Sequence, residues 1–170
     1  MATSNSTPEQ VTRQVGKMTL TVKSDREAEL KRVFDAPRRL VWEALSKPEH
    51  VPHWWGPRRN TMTSCELDLR PGGSWRFVLR GPDGNEYAFR GEIRELVPPE
   101  RVVQTFEFEG MPGAVSVETL TLTEHDGRTT LTATSTFDSV EALDGMLQSG
   151  MEGGAAETYD RLEEYLRTMA

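Results

Sequence analysis

Residues 30–57, LKRVFDAPRRLVWEALSKPEHVPHWWGP, carry the clearest structural signal in the chain. The first five are typical of a strand end, because the following Ala36-Pro37 stops extended pairing. Pro37 suits the first helical position, where its missing N–H costs nothing, and from Leu40 onward apolar residues recur at helical spacing. The stretch therefore predicts three elements: a strand over 27–34 and short helices over 37–46 and 48–55.

Turn signals divide the rest of the chain into alternating stretches of about 8–12 residues. These signals are Pro71-Gly72-Gly73, Gly81-Pro82-Asp83-Gly84, Val97-Pro98-Pro99-Glu100 and His125-Asp126-Gly127-Arg128. The stretches between them alternate apolar and polar residues, and the last two are dense in threonine, as strands often are. This pattern predicts six or seven strands in one meandering antiparallel sheet. Residues 18–22 alternate as well and are compatible with a short additional strand.

Residues 140–169 predict a long C-terminal helix that covers the apolar face of this sheet. One face of the helix carries Leu147, Met151, Ala155, Thr158, Tyr159, Leu162, Leu166 and Met169. From Leu162 onward this face is bulky and should anchor the core. Earlier turns are thin, with glycines at 150, 153 and 154, although each helical glycine costs about 1 kcal/mol relative to alanine. Such a helix leaves space, which large sheet residues either close or leave as a cavity.

The N-terminal residues differ from the rest of the chain. Residues 1–16 are rich in serine, threonine and glutamine and show no apolar period, which predicts a disordered tail. The 170 residues suit a single domain that can bury a core. We therefore expect one domain over residues 17–170.

Several of these motifs, taken in order, resemble the SRPBCC superfamily, in its branch similar to the activator of heat-shock-protein-90 ATPase homologue. They span about residues 26–168 and are more specific together than any one of them alone. The matching residues are Arg32, Phe34, Asp35-Ala36-Pro37, Val41-Trp42, Pro48-Glu49-His50, Trp54-Trp55-Gly56-Pro57, Pro71-Gly72-Gly73, Trp75, Phe77, Gly91, Ile93, Pro98-Pro99-Glu100-Arg101-Val102, Gly150-Met151-Glu152, Gly154 and Asp160-Arg161-Leu162.

The resemblance implies an α+β helix-grip fold, START-like and Bet v-like, in which a curved antiparallel sheet wraps around a long C-terminal helix. It implies much less about function, because this fold hosts many activities. Relatives often carry tryptophan where Ala155 stands. This departure should enlarge any cavity, and it weakens the inference of a ligand from those relatives.

Composition and charge argue against several classes of partner. The net charge of −7 argues against nucleic acid, because neutralising phosphates needs a basic surface, and against an anionic membrane surface. Cys65 is the one cysteine, so no intrachain disulfide forms and a cytoplasmic location is expected. No apolar run approaches the length of a membrane span. The first ten residues lack the basic start and apolar stretch of a signal peptide.

The candidate ligand site is a pocket wall rich in aromatic residues and methionine. Two consecutive tryptophans, Trp54 and Trp55, should not lie free on a surface, and at least one should pack inward or edge a cavity. A largely apolar pocket with few polar groups is typical of small-molecule sites, and the alternative is that these side chains fill the core. The predicted lining residues are Trp55, Trp75, Phe77, Tyr87, Phe89, Phe106, Phe108, Met111, Met146, Met151, Ala155 and Tyr159.

The polar candidates are weaker. His50 and His53 lack further ligands at metal-binding spacing, which favours structural roles and no metal. Cys65 has no evident activating partner and is expected to be a buried, inert thiol. Glu107 faces solvent if Phe106 and Phe108 face inward; in the reversed register it would be a buried carboxylate with a raised pKa that could bind a ligand or act as a base.

The sequence therefore favours non-enzymatic binding of a small hydrophobic molecule by a monomer or homodimer. It shows no nucleophile–base set, no phosphate-binding glycine loop and no cofactor motif. One rival is a chaperone cofactor, with a chaperone as its partner. The activator that this branch resembles has a separate N-terminal domain, for which 16 residues are too short. The other rival is an enzyme, such as a cyclase or hydrolase, that uses the cavity.

Overall fold

The structure, a computed structural model, describes residues 11–169 and has an α+β architecture. The strands are β1 Val11–Val15, β2 Met18–Val22, β3 Glu27–Phe34, β4 Thr61–Leu67, β5 Ser74–Arg80, β6 Glu86–Val97, β7 Arg101–Phe108, β8 Val115–His125 and β9 Arg128–Phe137. The helices are α1 Arg38–Ser46, a short 3₁₀ helix Val51–His53, α2 Val140–Gln148 and α3 Met151–Met169.

The strands form one curved, open antiparallel sheet in the order β1-β2-β3-β9-β8-β7-β6-β5-β4. From β4 to β9 each strand pairs with the next along the chain, which confirms the predicted meander. After β3 the chain crosses through α1 and the 3₁₀ helix to the far edge of the sheet, and β9 returns to pair with β3. The helix-grip fold is confirmed. The sheet has nine strands where six or seven were predicted, because β1 and β2 extend one edge.

Strand β1 corrects the predicted tail. The sequence predicted disorder over residues 1–16, but Val11–Val15 pair antiparallel with β2, from Val11 opposite Val22 to Val15 opposite Met18. Side chains on β1 are mostly exposed, so the strand leaves no apolar period in the sequence. Backbone hydrogen bonds hold it instead of burial. Residues 1–10 of the predicted tail lie outside the described residues.

Helix α1 and the tryptophan pair build one end of the core. Leu40, Val41 and Ala44 of α1 are buried, and the buried Trp54 donates from Nε1 to the carbonyl oxygen of Ala44 at 3.0 Å. The second predicted helix, 48–55, is only the three-residue 3₁₀ helix. The predicted segment contains Pro48 and Pro52. Proline has no N–H to donate within an α-helix, which accounts for the shorter element.

The C-terminal cover is two helices rather than one. Gly150 adopts a φ of +77° between α2 and α3, a left-handed conformation that ends the first helix. At the other end of α2, the Ser139 hydroxyl accepts the backbone N–H of Ala142 at 3.0 Å as an N-cap. In α3, Leu162 and Leu166 are buried in the main core, as the sequence predicted for Leu162.

Candidate ligand site between the sheet and the last helix

A row of phenylalanines crosses three neighbouring strands on the helix-facing side of the sheet. Phe77 on β5 lies opposite Phe89 on β6, which lies opposite Phe108 on β7. Trp55 covers this row, with its ring centroid 5.1 Å from those of both Phe77 and Phe89 at steep interplanar angles. Edge-to-face packing of this kind adds to the burial of the rings. The predicted pairing of the tryptophan loop with the sheet aromatics is therefore present.

Trp75 and Phe106 extend this cluster along the sheet. The ring centroid of Trp75 lies 4.9 Å from Phe77 and 5.8 Å from Phe106. Trp75 is buried, and its Nε1 donates to the carbonyl oxygen of Thr105 at 3.3 Å. Gly91 makes room for this ring, because a Cβ at that position would lie 2.3 Å from Trp75 Nε1. A glycine in mid-strand is explained here by close approach of an aromatic ring.

The other predicted lining residues are more scattered. Tyr87 reaches the cluster through Phe108, with ring centroids 6.5 Å apart. Tyr159 packs edge-on against Phe34 at 6.2 Å, and Ala155 is half-buried one turn earlier on α3. The three methionines lie elsewhere: Met146 packs on the small core of Leu20, Ala28 and Leu143, and Met111 and Met151 are 61% and 42% exposed. Seven of the twelve predicted residues thus form one contiguous cluster.

The first turns of α3 are open on two sides. A Cβ built on Gly153 or on Gly154 would meet no described atom within 4 Å beyond its chain neighbours and the backbone of its own helix. Gly153 is exposed, whereas Gly154 is half-buried. Gly154 shares a side of the helix with Glu157 and Arg161, whose side chains bind the loop after Trp55. Space therefore exists beside the helix at the position where the sequence predicted a thin face.

Arg32 fixes α3 against the sheet. Its buried guanidinium donates to Asp160 Oδ1 and to Glu163 Oε2, both at 2.7 Å, and lies 5.4 Å from the ring centroid of Phe34. Charge-assisted hydrogen bonds from a buried arginine define the helix position closely. Both acceptors lie near Leu162, so these bonds hold the C-terminal half of α3, whereas at the glycine-rich start Glu152 pairs with the exposed Arg13 of β1.

Arg161 fixes the loop that carries Trp55. Its guanidinium donates to the carbonyl oxygen of Gly56 at 2.7 Å and to that of His53 at 3.1 Å. Tyr165 stacks on the His53 ring with centroids 5.0 Å apart. The tryptophan above the phenylalanine row is thus held by the same helix that lies opposite the sheet.

The sequence-based predictions missed a half-buried polar pair on the inner face of the sheet. Gln104 on β7 and Glu118 on β8 are register partners, and Gln104 Nε2 donates to Glu118 Oε1 at 2.9 Å. Burial raises the pKa of Glu118, and the hydrogen bond from Gln104 opposes that rise. Burial, and then the negative charge of Glu118, raise the pKa of Tyr159. A signal was available, since Gln104 alternates in phase with Phe106 and Glu118 with Leu120.

Glu107 lies on the other face of the sheet. Its Oε1 accepts from Arg90 Nε at 2.9 Å, and its Oε2 accepts the backbone N–H of Gly113 at 2.8 Å. These two hydrogen bonds, the one from Gly113 first, lower the pKa of Glu107. Of the two alternatives left open by the sequence, the structure has Phe106 and Phe108 facing inward and Glu107 facing outward. The carboxyl group inside the fold is Glu118.

Neither the histidines nor the cysteine are placed for chemistry in this interior. His50 Nδ1 lies 2.5 Å from the Tyr165 hydroxyl, and His53 stacks on the same ring. Cys65 is half-buried on β4, and burial raises the pKa of its thiol, which disfavours the reactive thiolate. Among residues 11–169, no group of three or more histidine, cysteine, aspartate or glutamate side chains is arranged to hold a metal ion.

Two surface hollows lie away from the aromatic cluster's centre. One of about 330 Å³ is lined by Arg59, Asn60, Gly81, Pro82, Asp83 and Tyr87. The other, of about 230 Å³, is lined by Asp35, Arg128, Glu163, Leu166 and Arg167. Neither hollow includes Trp55 or Phe89. The enclosed cavity expected from the sequence therefore stays a prediction.

An antiparallel sheet folded around a C-terminal helix, with an aromatic interior between them, defines a helix-grip domain of the SRPBCC superfamily. Residues 35–167 match the model of one family in particular, described as Activator of Hsp90 ATPase homolog 1-like protein. The chain belongs to this family, which confirms the resemblance seen in its motifs.

Solved structures from several bacteria share the fold. A protein from Rhodobacter sphaeroides is 28% identical with a TM-score of 0.83, over 89% of this chain and 99% of that one. A protein from Mycobacterium smegmatis is 29% identical with a TM-score of 0.77, over 91% and 96% of the two chains. A protein from Nitrosomonas europaea is 26% identical with a TM-score of 0.78, over 87% and 98%. No curated protein matches the chain.

In the part of the chain that the structure describes, no helix has the length and apolar character needed to cross a membrane.

Proposed function

We propose that this domain binds a small, largely apolar molecule between the aromatic cluster and the first turns of α3, without converting it chemically. The observation that carries the proposal is the pairing of an aromatic sheet face with a helix turn that contains two consecutive glycines, Gly153 and Gly154. Apolar walls with few polar groups are what small-molecule sites present. The helix turn leaves room on the side of the Trp55 loop, where Gly154 has no neighbour within 4 Å of a built Cβ.

The burial of the aromatic residues supports a site rather than a filled core. Trp75 and Phe77, at the base of the cluster, are 3% and 7% exposed. Phe89, Phe106 and Phe108 also face the interior, yet they are only partly buried. In a closely packed core, inward-facing rings at the centre of a sheet would be covered. Rings that face inward and stay accessible are suited to contact a ligand.

Binding without conversion is supported by where the reactive side chains lie. The two histidines on and before the 3₁₀ helix contact Tyr165, and Cys65 is the one thiol, with a raised pKa. A nucleophile needs an adjacent base to be activated. Glu118 hydrogen-bonds to an amide, Gln104, rather than to a nucleophile.

The test is substitution at Ala155, on the inner face of α3. We expect a neutral apolar dye, N-phenyl-1-naphthylamine, to bind the wild-type protein saturably with increased fluorescence. Ala155→Trp should abolish that binding and leave the melting temperature unchanged or higher, because the indole fills empty space. The matched control is Gly153→Trp on the exposed side of the same helix, which should still bind the dye. If Ala155→Trp overpacks the interior, costs about 1–3 kcal/mol and leaves dye binding unchanged, the interior is a filled core and the proposal fails.

A chaperone cofactor is the second candidate, favoured by the family description, Activator of Hsp90 ATPase homolog 1-like protein. Adding the purified protein to a steady-state assay of an Hsp90-type ATPase would separate the two functions. Stimulation that the Ala155→Trp variant retains would favour the chaperone role, since the interior would then be irrelevant to it. No stimulation, together with saturable dye binding, would favour the ligand-binding role.

A further inference from the structure

A polar row crosses the otherwise apolar face of the sheet beside the aromatic cluster. Gln104 lies opposite Glu118, and Glu118 lies opposite Ser135 on β9. Phe106, two residues along β7 from Gln104 and on the same face, borders this row and lies opposite the buried Ser116. The aromatic cluster and the polar row are therefore adjacent parts of one surface that faces α3.

The Glu118 carboxyl group has hydrogen-bonding capacity to spare. Among residues 11–169, Gln104 is its one hydrogen-bond partner and no basic side chain pairs with it. A carboxylate can accept about four hydrogen bonds. Two arginines on other strands of the sheet are paired with other carboxylates, Arg32 with Asp160 and Glu163, and Arg13 with Glu152.

We propose that Glu118, with Gln104, is the polar anchor of the ligand site, and that the ligand is a ring-bearing apolar molecule carrying one hydrogen-bond donor, a hydroxyl or a protonated amine, and no carboxylate. This inference rests on the proposed binding function. The rings of Phe89 and Phe106 would contact the apolar body of the ligand, and the donor would bind the acceptor oxygens of Glu118.

The chemistry of the anchor sets the selectivity. An acceptor held in an apolar interior favours a donor strongly, because without one it stays desolvated and unpaired. A ligand carboxylate would place a second negative charge beside the first, which is unfavourable at low dielectric. Burial raises the pKa of Glu118 and so opposes its ionisation, and a cationic donor on the ligand would favour the ionised form. Fatty-acid-like ligands are therefore rejected by this anchor, although the aromatic walls would suit their chains.

The experiment compares four ligands that share one ring: 2-methylnaphthalene, 2-naphthylmethanol, 2-naphthylmethylamine and 2-naphthoate. The affinity of each ligand is measured by its displacement of N-phenyl-1-naphthylamine from the full-length protein. The pH is about 8, where ordinary carboxyl groups are ionised. We expect the alcohol and the amine to bind about tenfold or more tightly than the methyl compound, and the naphthoate at least tenfold more weakly. The alcohol and amine arms decide which of the two donors the anchor prefers.

Two variants assign the effect to the anchor. Glu118→Gln keeps the size of the side chain and removes its charge, so it should abolish the advantage of the amine and the penalty of the naphthoate. Gln104→Leu removes the amide that positions Glu118 Oε1 and should weaken the alcohol several-fold while sparing the methyl compound. The matched control is Glu107→Gln, on the outer face of the sheet, which should leave all four affinities unchanged.

The outcomes separate the anchor from the pocket. If all four ligands displace the dye equally, or if neither Glu118→Gln nor Gln104→Leu alters their ranking, the anchor is refuted and the apolar pocket stands. If neither the dye nor any of the four ligands binds, the proposed function fails and the anchor fails with it. Circular dichroism and the melting temperature establish whether each variant is folded, and Gln104→Leu decides the test if Glu118→Gln does not fold.

Discussion

Alanine at Gly154 tests whether the space beside the first turns of α3 is empty. Gly153 and Gly154 both lie within α3, and a Cβ built on either meets no described atom within 4 Å. Alanine is favoured over glycine in a helix interior by about 0.8–1.0 kcal/mol, because glycine loses more backbone entropy on folding. With no clash to oppose this gain, each substitution should raise the free energy of unfolding by about 0.5–1 kcal/mol.

Thermal and urea denaturation followed by circular dichroism measure this change. For a chain of this size, 1 kcal/mol corresponds to a shift of about 2–4 °C in melting temperature. Gly153→Ala is the internal reference. Position 153 is exposed, so the added methyl group lies in solvent and the change in stability reports helix propensity alone. Gly150→Ala is the opposite control, because Gly150 has a φ of +77° and alanine there should cost about 1–2 kcal/mol.

The refuting result is a difference between the two neighbours. If Gly153→Ala stabilises the protein while Gly154→Ala destabilises it, the methyl group at Gly154 meets atoms, and the space beside α3 is filled. If both stabilise to the same extent, the space is open in the ligand-free protein. The comparison needs no ligand, so it tests the geometry on which the binding proposal depends.

Two further predictions concern the core and the interior carboxyl group. Leu162→Ala should cost about 2–5 kcal/mol in urea denaturation, because Leu162 is fully buried; a cost below about 1 kcal/mol would show that α3 is peripheral. Burial holds the pKa of Glu118 above its ordinary value, so the folded protein retains a proton that the unfolded chain loses. Stability should therefore fall, relative to Glu118→Gln, as pH rises from the ordinary carboxyl range through the raised pKa. For Glu107 the pKa is lowered, so stability relative to Glu107→Gln should fall as pH decreases through that lowered pKa. Urea titrations of all three proteins across pH measure both slopes, and slopes of the same sign would contradict the assignment of the two carboxyl groups.

The parts of the fold that the sequence predicted well are those where apolar periodicity and turn chemistry agree. The strands from β4 to β9 alternate clearly and are separated by glycine and proline turns, so the meander followed directly. Alternation showed that Glu107 lies opposite in phase to Phe106 and Phe108 but left open which set faces inward, and the structure has the two phenylalanines inside. The family resemblance added how the sheet and last helix are arranged, which local patterns do not specify.

The parts that were missed have two physical causes. Strand β1 lies at an exposed edge of the sheet and is held by backbone hydrogen bonds. Such pairing leaves little trace in the pattern of side chains. The polar pair of Gln104 and Glu118 was overlooked, although the phase of Glu118 relative to Leu120 places its side chain on the inner face of the sheet. The break at Gly150 lay within a continuing apolar period, so a single helix over 140–169 was the natural expectation.

Stability and ligand binding are assigned to different halves of α3. In its second half Leu162 and Leu166 fill the core, and Arg32 on β3 binds Asp160 and Glu163 at 2.7 Å. In the first half of α3 the side chains are smaller, and there we propose that the ligand binds. Because Leu162, Leu166 and the acceptors of Arg32 lie outside that proposed site, substitutions at Gly154 or Ala155 should change ligand binding without weakening the attachment of the helix.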